Sequence, residues 1–316
     1  MMLRGCEDPL PASVTLPRHG GRRSGVLSGP GATLLYPELY RSLERARWNL
    51  ADDVPWASFD PSALTDEQAL TVKMNAITEW SALPATEMFL RDNRHDSDFS
   101  AFMSVWFYEE QKHALVLMEY LRRFRPELVP TDEELHAVRF EFDPAPSLET
   151  LMLHFCGELR LTRWYKRAAE WHTEPVLRHV YGLISEDEAR HGGAYLRYMQ
   201  RALELDRATA TAAFAKVGVL MTGGGRGGRP MHPTNLHVAK GLFPNDTVQS
   251  RLPDPGWLDR WLDDQIRFDE ACEARVVKAI LRSLSALLGE EFATPRDLSR
   301  FRRRGRADAE AAATAT

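Results

Sequence analysis

The sequence predicts an all-α protein: a four-helix bundle core with further helices before and after it. Three observations carry that prediction. Apolar residues recur at helical spacing through most of the chain, and no run alternates with the period of two that a sheet demands. Two Glu-x-x-His motifs, Glu110 with His113 and Glu188 with His191, sit inside two separate long helical segments. That spacing puts carboxylate and imidazole on one helical face, and two such faces are what a carboxylate-bridged pair of metal ions needs. One copy alone would carry little, because with ten histidines about one Glu-x-x-His is expected by chance. Glu133-x-x-His136, in a short charged segment after Pro130, is read as that chance copy.

The 316 residues are 44% hydrophobic with a net charge of -5, enough for a sizeable core and without the basic excess that marks a nucleic-acid or anionic-membrane partner. Cys6, Cys156 and Cys272 show no Cys-x-x-Cys spacing, which fits a reducing cytoplasm and excludes a disulfide framework or a thiolate zinc site. No secretory h-region opens the chain, and no apolar run approaches the ~20 residues of a membrane span. The expectation is a soluble cytoplasmic protein.

Residues 1–33, rich in Gly, Pro, Arg and Ser, read as a flexible arm. A single domain is expected over 34–290. Helical periodicity begins near Leu35 and runs through Leu43 to Trp48. A turn-like stretch from Asp52 to Pro61 leads to Thr65, an N-cap with Gln68 three residues on. The helix that starts there should carry Met74, Ile77, Trp80 and Leu83 and continue past Pro84, with a kink, to about Arg91. Asp92 to Asp96 is the connection, and Ser97 to Phe124 is a second long helix bearing the first motif. Residues 126–147, with Pro126, Pro130, Pro144 and Pro146, are a crossover holding at most a short helix. Helices from about Leu148 to Trp171 and Glu174 to Leu203 form the next hairpin, with Pro175 suited to a helix N-terminus. The ligand hairpins thus span about 65–125 and 148–204. A helix around Ala208 to Met221 precedes the Gly-rich stretch Gly223 to Pro230, which lacks the Gly-Lys-Ser/Thr ending and preceding strand of a phosphate loop and reads as a linker or lid. Asp254 to Leu288 is a last amphipathic region, and 291–316 reads as a disordered tail.

In an antiparallel helical hairpin, residues equally far from the turn lie at the same height. The first hairpin turns near residue 94 or 95, which sets Glu79 level with Glu110. The second turns near Thr173, which sets Glu158 level with Glu188. Both levels lie about 15 residues, on the order of 23 Å, from their turns. Glu87, the competing carboxylate, sits about 8 residues or ~12 Å out of level. The candidate metal ligands are therefore Glu79, Glu110, His113, Glu158, Glu188 and His191, and four carboxylates balance two divalent cations. Phe102, Met103, Trp106, Phe107, Leu115 and Leu117 give Glu110 an apolar setting.

With these motifs the chain resembles the ferritin-like di-iron carboxylate oxidases, most closely the soluble acyl-carrier-protein desaturases. Their ligand motifs read Glu-Glu-x-Arg-His and Asp-Glu-x-Arg-His, against Glu109-Glu110-Gln111-Lys112-His113 and Asp187-Glu188-Ala189-Arg190-His191 here. Their Thr-Glu followed by Leu-Pro corresponds to Thr78-Glu79 and Leu83-Pro84, one residue later, and their Trp-x-Pro-x-Asp to Trp48-Asn49-Leu50-Ala51-Asp52, without the proline. The resemblance covers roughly residues 36–200. It implies a homodimeric bundle with two iron ions (Fe2+/Fe3+) per chain, manganese being the alternative. It also implies O2-dependent oxidation of an apolar acyl substrate carried on acyl carrier protein, and a ferredoxin electron donor. Carried onto this chain, Asp187 and Glu109 would accept from the ligand imidazoles, and Trp48 would join that network or serve as a core tryptophan. Trp106 and Phe107 are candidates for the substrate wall.

Thr162, four residues after Glu158, is the candidate catalytic hydroxyl. It is similar in position to the distal threonine of bacterial multicomponent hydroxylases, whereas desaturases place theirs at the position of Leu161. The alternative is a hydroxyl bonded to its own helix backbone. The radical tyrosine of ribonucleotide reductase small subunits would fall at Leu117, which disfavours a reductase. The functional expectation is a desaturase or fatty-acyl hydroxylase. The alternatives are a di-iron N-oxygenase of arylamines, which would call on a third histidine such as His172 or His179, and a non-catalytic iron-binding protein.

Overall fold

The computed structural model describes residues 34–139, 141, 143–223 and 257–314, all of whose regular elements are helical. The expected N-terminal arm and the Gly-rich stretch beyond Gly223 lie outside the described residues. Four long segments make the core. The first is α2 (Asp66–Trp80) with its continuation α3 (Ala82–Asp92), preceded by α1 (Tyr36–Ala46), and the second is α4 (Ser97–Phe124). After the short α5 (Asp132–His136) come α6 (Ser147–Trp171) and α7 (Pro175–Leu205). Each hairpin turns where the sequence places it, between Asp92 and Ser97 and between Trp171 and Pro175.

Local chemistry sets these ends. Thr65 and Gln68 form a reciprocal capping box at the start of α2. Asp96 caps α4 through the Phe99 N–H, and Glu174 caps α7 through the N–H groups of Val176 and Leu177. The expected kinked helix through Pro84 is two helices instead, broken at Ser81. Pro84 has no N–H for the Trp80 carbonyl and its ring crowds that carbonyl, so the break falls three residues ahead of the proline. The helical direction survives because Ser81 keeps φ -68° and ψ -5°.

One buried ion pair ties the front of the molecule to the bundle. Arg201 Nη1 of α7 meets Asp98 Oδ2 of α4 at 2.6 Å, and the same carboxylate accepts from the Leu35 and Tyr36 N–H groups at 3.0 Å each. The start of α1 is thereby pinned, and its far end delivers Arg47 and Trp48 to the middle of the bundle.

Behind the core, α8 (Arg207–Met221), α9 (Trp257–Ile266), α10 (Glu270–Leu288) and α11 (Pro295–Thr314) pack against α6 and one another. One expectation is sharpened and another corrected here. The amphipathic region ending at Leu288 is two helices, separated where Arg267 adopts φ 57°. The tail expected to be disordered is helical as α11, because Leu298 is fully buried against α8 and Phe301 stacks edge-on with Phe292 at 5.3 Å. Gly218 allows that packing: a Cβ there would stand 2.5 Å from Leu284 Cδ1 and 3.1 Å from Leu298 Cδ2.

Candidate metal centre

The two hairpins bring all six sequence-predicted ligand residues into one buried site. Two groups form, each with its ligating atoms within 4.8 Å of one another: Glu79, Glu110, His113 and Glu188, and Glu110, Glu158, Glu188 and His191. Glu110 and Glu188 belong to both groups and stand where bridging carboxylates would. Glu79 and Glu158 belong to one group each, as terminal carboxylates would. Glu87 is at the surface, 57% exposed and paired with Arg139 at 2.5 Å. His136 ends the short α5 and belongs to neither group.

Both imidazoles are oriented the same way. His113 Nε2 lies 3.0 Å from Asp187 Oδ2, and His191 Nε2 lies 3.0 Å from Glu109 Oε2. A carboxylate can only accept there, so Nε2 carries the proton and Nδ1 turns its lone pair inward. His113 Nδ1 is 3.6 Å from Glu79 Oε2 and 3.8 Å from Glu188 Oε1, and His191 Nδ1 is 2.9 Å from Glu110 Oε1 and 3.4 Å from Glu188 Oε2.

The outer carboxylates have partners of their own. Trp48 Nε1 donates to Asp187 Oδ2 at 2.7 Å, the first of its two readings, and Arg190 also pairs with Asp187. Lys112 adds its ammonium 3.4 Å from Asp187 and 4.1 Å from the centre of the Trp48 ring. On the other side Arg47 Nε stands 3.9 Å from Glu109 Oε1. Burial pushes the Lys112 ammonium down to about 8. Glu109 is held below its usual range: its bond to His191 and the nearby cations outweigh the effect of burial.

Within the site the balance is reversed. Burial raises Glu79 to about 7 against the pull of His113, and burial with repulsion from Glu110 raises Glu158 and, further, Glu188. Against burial, the bond to Glu109 and the carboxylates of Glu110 and Glu188 close by hold His191 well above the ordinary histidine range. Such a crowd of buried carboxylates calls for cations. The atoms left without a hydrogen bond are the ones a metal would use: Nδ1 of His113 and of His191, Oε2 of Glu158 and both oxygens of Glu188. Carboxylate and imidazole donors without thiolate suit a pair of iron or manganese ions.

Sequence reading missed the donors that hold the terminal glutamates. The Tyr165 hydroxyl donates to Glu79 Oε1, and Trp106 Nε1 donates to Glu158 Oε1 at 3.2 Å. Each glutamate is left with Oε2 free for the centre. Tyr165 follows Glu158 by seven residues on one helical face, a signal that was present in the spacing. Trp106, read as a substrate-wall residue, is buried beside the site with its ring 6.3 Å from that of His191, while Phe107 is half-buried at the edge of the core. The Thr162 hydroxyl donates to the Glu158 carbonyl at 2.7 Å, the backbone-bonded alternative, rather than to a carboxylate of the site. Neither further histidine reaches the ligand groups: His172 is buried against Tyr181, and His179 bonds to the Asp53 carbonyl at 2.8 Å.

Comparison with known proteins adds sequence evidence over one part of the chain. A family model for fatty acid desaturase matches residues 163–221, the end of α6 with α7 and α8, and so includes the second motif. No curated protein matches the chain. Among solved structures, DesA2 of Mycobacterium tuberculosis H37Rv, provisionally described as an acyl-ACP desaturase, is 20% identical with a TM-score of 0.41, over 77% of this chain and 97% of that one. An R2-like ligand-binding oxidase variant with an anaerobically reconstituted Mn/Fe cofactor is 16% identical with a TM-score of 0.42, over 81% of this chain and 93% of that one. No helix among the described residues is long and apolar enough to cross a membrane. With the second motif inside the desaturase match and both motifs converging on one buried cluster, the resemblance of this chain to the ferritin-like di-iron carboxylate oxidases holds in sequence and in geometry.

Proposed function

We propose that this protein is an O2-dependent di-iron oxidoreductase that acts on an apolar substrate, an acyl chain free or carried on acyl carrier protein, by desaturation or hydroxylation. The observation that carries the proposal is the buried set of four glutamates and two histidines, in which Nδ1 of both histidines, Oε2 of Glu158 and both oxygens of Glu188 have no hydrogen-bond partner. Glu79, Glu110, His113, Glu158, Glu188 and His191 would hold the ions, and a bound iron pair would supply redox chemistry and oxygen activation. Asp187 and Glu109 fix the histidine tautomers and increase the basicity of Nδ1. Trp106 and the rings of Phe89, Phe99 and Phe102 keep one end of the site dry. The Trp48 indole, joined to His113 through Asp187, is the buried route for electrons from a ferredoxin-type donor. A homodimer belongs to the same reading.

The test is metal content followed by oxygen uptake. The purified protein is expected to hold about two iron or manganese ions per chain, and the reduced iron form to consume O2 faster with its substrate class present. A panel of acyl-carrier-protein thioesters, free fatty acids and arylamines separates the readings. Turnover of an arylamine alone would replace the acyl assignment with N-oxygenation, and many iron atoms per assembly without substrate-dependent uptake would replace it with storage. A stably folded protein that binds no metal would overturn the proposal.

A further inference from the structure

Trp164 and Tyr165 are consecutive residues of α6, and each has a carboxylate at its polar end. The Tyr165 hydroxyl donates to Glu79 Oε1 in the ligand cluster, and Trp164 Nε1 donates to Asp263 Oδ1 at 2.9 Å. Their rings meet edge-on, with 5.2 Å between centroids and 90° between planes. Both side chains are buried. Asp263 is 16% exposed and is held by Arg160 Nη2 at 2.6 Å from its Oδ2. Two oxidisable rings thus lead from a ligand glutamate toward the protein surface.

A phenol gives up an electron readily only where its proton has an acceptor, and an indole does so most readily beside a negative charge. Tyr165 and Trp164 meet these conditions together, and the other rings near the site do not. Trp48 has the Lys112 ammonium 4.1 Å from the centre of its ring, which opposes a positive charge there. Trp106 donates to Glu158, but its ring neighbours are Phe89, His154 and His191, all harder to oxidise than an indole. Tyr181 stacks on Tyr165 at 5.8 Å and 18°. Its hydroxyl accepts from Asn75 Nδ2 at 2.7 Å, however, and bonds to no carboxylate among the described residues.

We propose that Tyr165 and Trp164 form an outlet that carries oxidising equivalents away from the metal centre when O2 reacts there without substrate. This rests on the metal-centre reading above. Reduced iron supplies part of the electrons that take O2 to water, and the substrate supplies the rest. Without substrate, Tyr165 gives up one electron, and its phenolic proton passes along the hydrogen bond to Glu79 Oε1, leaving a neutral phenoxyl. Trp164 then gives an electron to Tyr165 while Glu79 returns the proton. The indole keeps its N–H bond to Asp263, whose carboxylate offsets the positive charge left on the ring. Ascorbate or a thiol in solution, itself oxidised by one electron, restores Trp164.

Oxidative marking of the chain is the readout. Wild type and Tyr165→Phe at equal iron content are reduced anaerobically, freed of reductant and exposed to O2 without substrate. After several cycles they are digested for peptide mass spectrometry, with metal-free protein as the baseline. The wild type is expected to gain oxygen at Trp164 ahead of Trp48 and Trp106, and in Tyr165→Phe the oxidation at Trp164 should fall to the metal-free baseline. Wild-type oxidation of Trp164 in Tyr165→Phe, no oxidation of Trp164 in the iron-loaded wild type, or equal oxidation of the three tryptophans overturns the proposal. If Tyr165→Phe does not fold or hold iron, Trp164→Phe decides. Frozen at intervals after O2 exposure, it should show a phenoxyl electron paramagnetic resonance signal that outlasts the wild-type radical; no signal, or one that decays as in the wild type, refutes the outlet. Failure of the wild type to bind iron defeats the metal-centre reading instead, so the two failures are distinguishable.

Discussion

Trp106→Phe tests how the terminal glutamates are held. The indole N–H donates to Glu158 Oε1 at 3.2 Å inside a fully buried cluster, so its removal leaves that oxygen unpartnered while the six ligands remain. A hydrogen bond to a charged acceptor contributes ~1.5–3 kcal/mol, and the length of this one argues for the lower figure, ~1.5 kcal/mol or roughly tenfold in affinity. Glu158 belongs to only one of the two ligand groups, so the loss should fall on one ion. Tyr165→Phe should act on the other, through Glu79. Anaerobic titration with Mn2+, with free metal followed by its electron paramagnetic resonance signal, separates the two binding steps. Each variant is expected to weaken one step about tenfold and leave the other within about twofold, and the two effects should add in the double variant. Equal weakening of the same step by both, or of neither, would refute the assignment of Glu79 and Glu158 to separate ions.

Other expectations follow from the same structure. His113→Ala and His191→Ala should each lower metal occupancy while His136→Ala leaves it unchanged; equal behaviour of all three in metal analysis would sink the ligand assignment. Burial pushes the His172 imidazole down to about 3, from an ordinary value near 6.5. The unfolded chain therefore binds this proton first, so the stability is fully present above about pH 6.5 and is lost as pH falls toward 3, by about 1.4 kcal/mol per unit. In urea titrations, His172→Phe should flatten that slope relative to wild type; parallel profiles would show that His172 contributes nothing. Arg201→Met breaks the buried pair with Asp98 and should cost about 3–5 kcal/mol of unfolding free energy; a loss under about 1 kcal/mol would show that the two backbone N–H groups suffice for Asp98.

The ligand set was legible because it depends on features that sequence spacing controls. Glu-x-x-His fixes a helical face, and a short turn fixes the height of its partner, so Glu79 and Glu158 follow from the positions of residues 94 and 173. The break at Ser81 did not disturb this, since the two half-helices remain in line. What was not legible depends on the approach of separate elements. Arg47 adjoins Trp48, yet its pairing with Glu109 depends on how α1 docks, which Asp98 and Arg201 decide from afar. The α11 helix was hidden by composition: its arginines read as a solvated tail, while its two large apolar residues, Leu298 and Phe301, are enough to seat it. Thr162 had two readings that spacing alone could not separate, and its hydroxyl stays with its own backbone.

The ligands are nearly symmetric, but what surrounds them is not, and the asymmetry has one structural source. The loop after α1 presents consecutive residues, Trp48 to the Asp187–His113 side and Arg47 to the Glu109–His191 side. The first side thus has a buried indole with an ammonium over its face, a redox-capable ring whose oxidation the charge opposes. The second has a guanidinium, itself resting over the exposed Tyr108 ring at 4.7 Å, and its buried indole, Trp106, donates to the ligand-group carboxylate of Glu158 instead of to Glu109. Tyr165 and Tyr195 repeat the pattern, one bonded to a terminal glutamate and the other without a partner. Two ions in matched ligand sets would therefore experience different fields and different hydrogen-bonding neighbours. A pair of equivalent sites suits storage. A pair made inequivalent by one short loop and two tyrosines suits the oxidase reading proposed above, in which the two ions need not act alike.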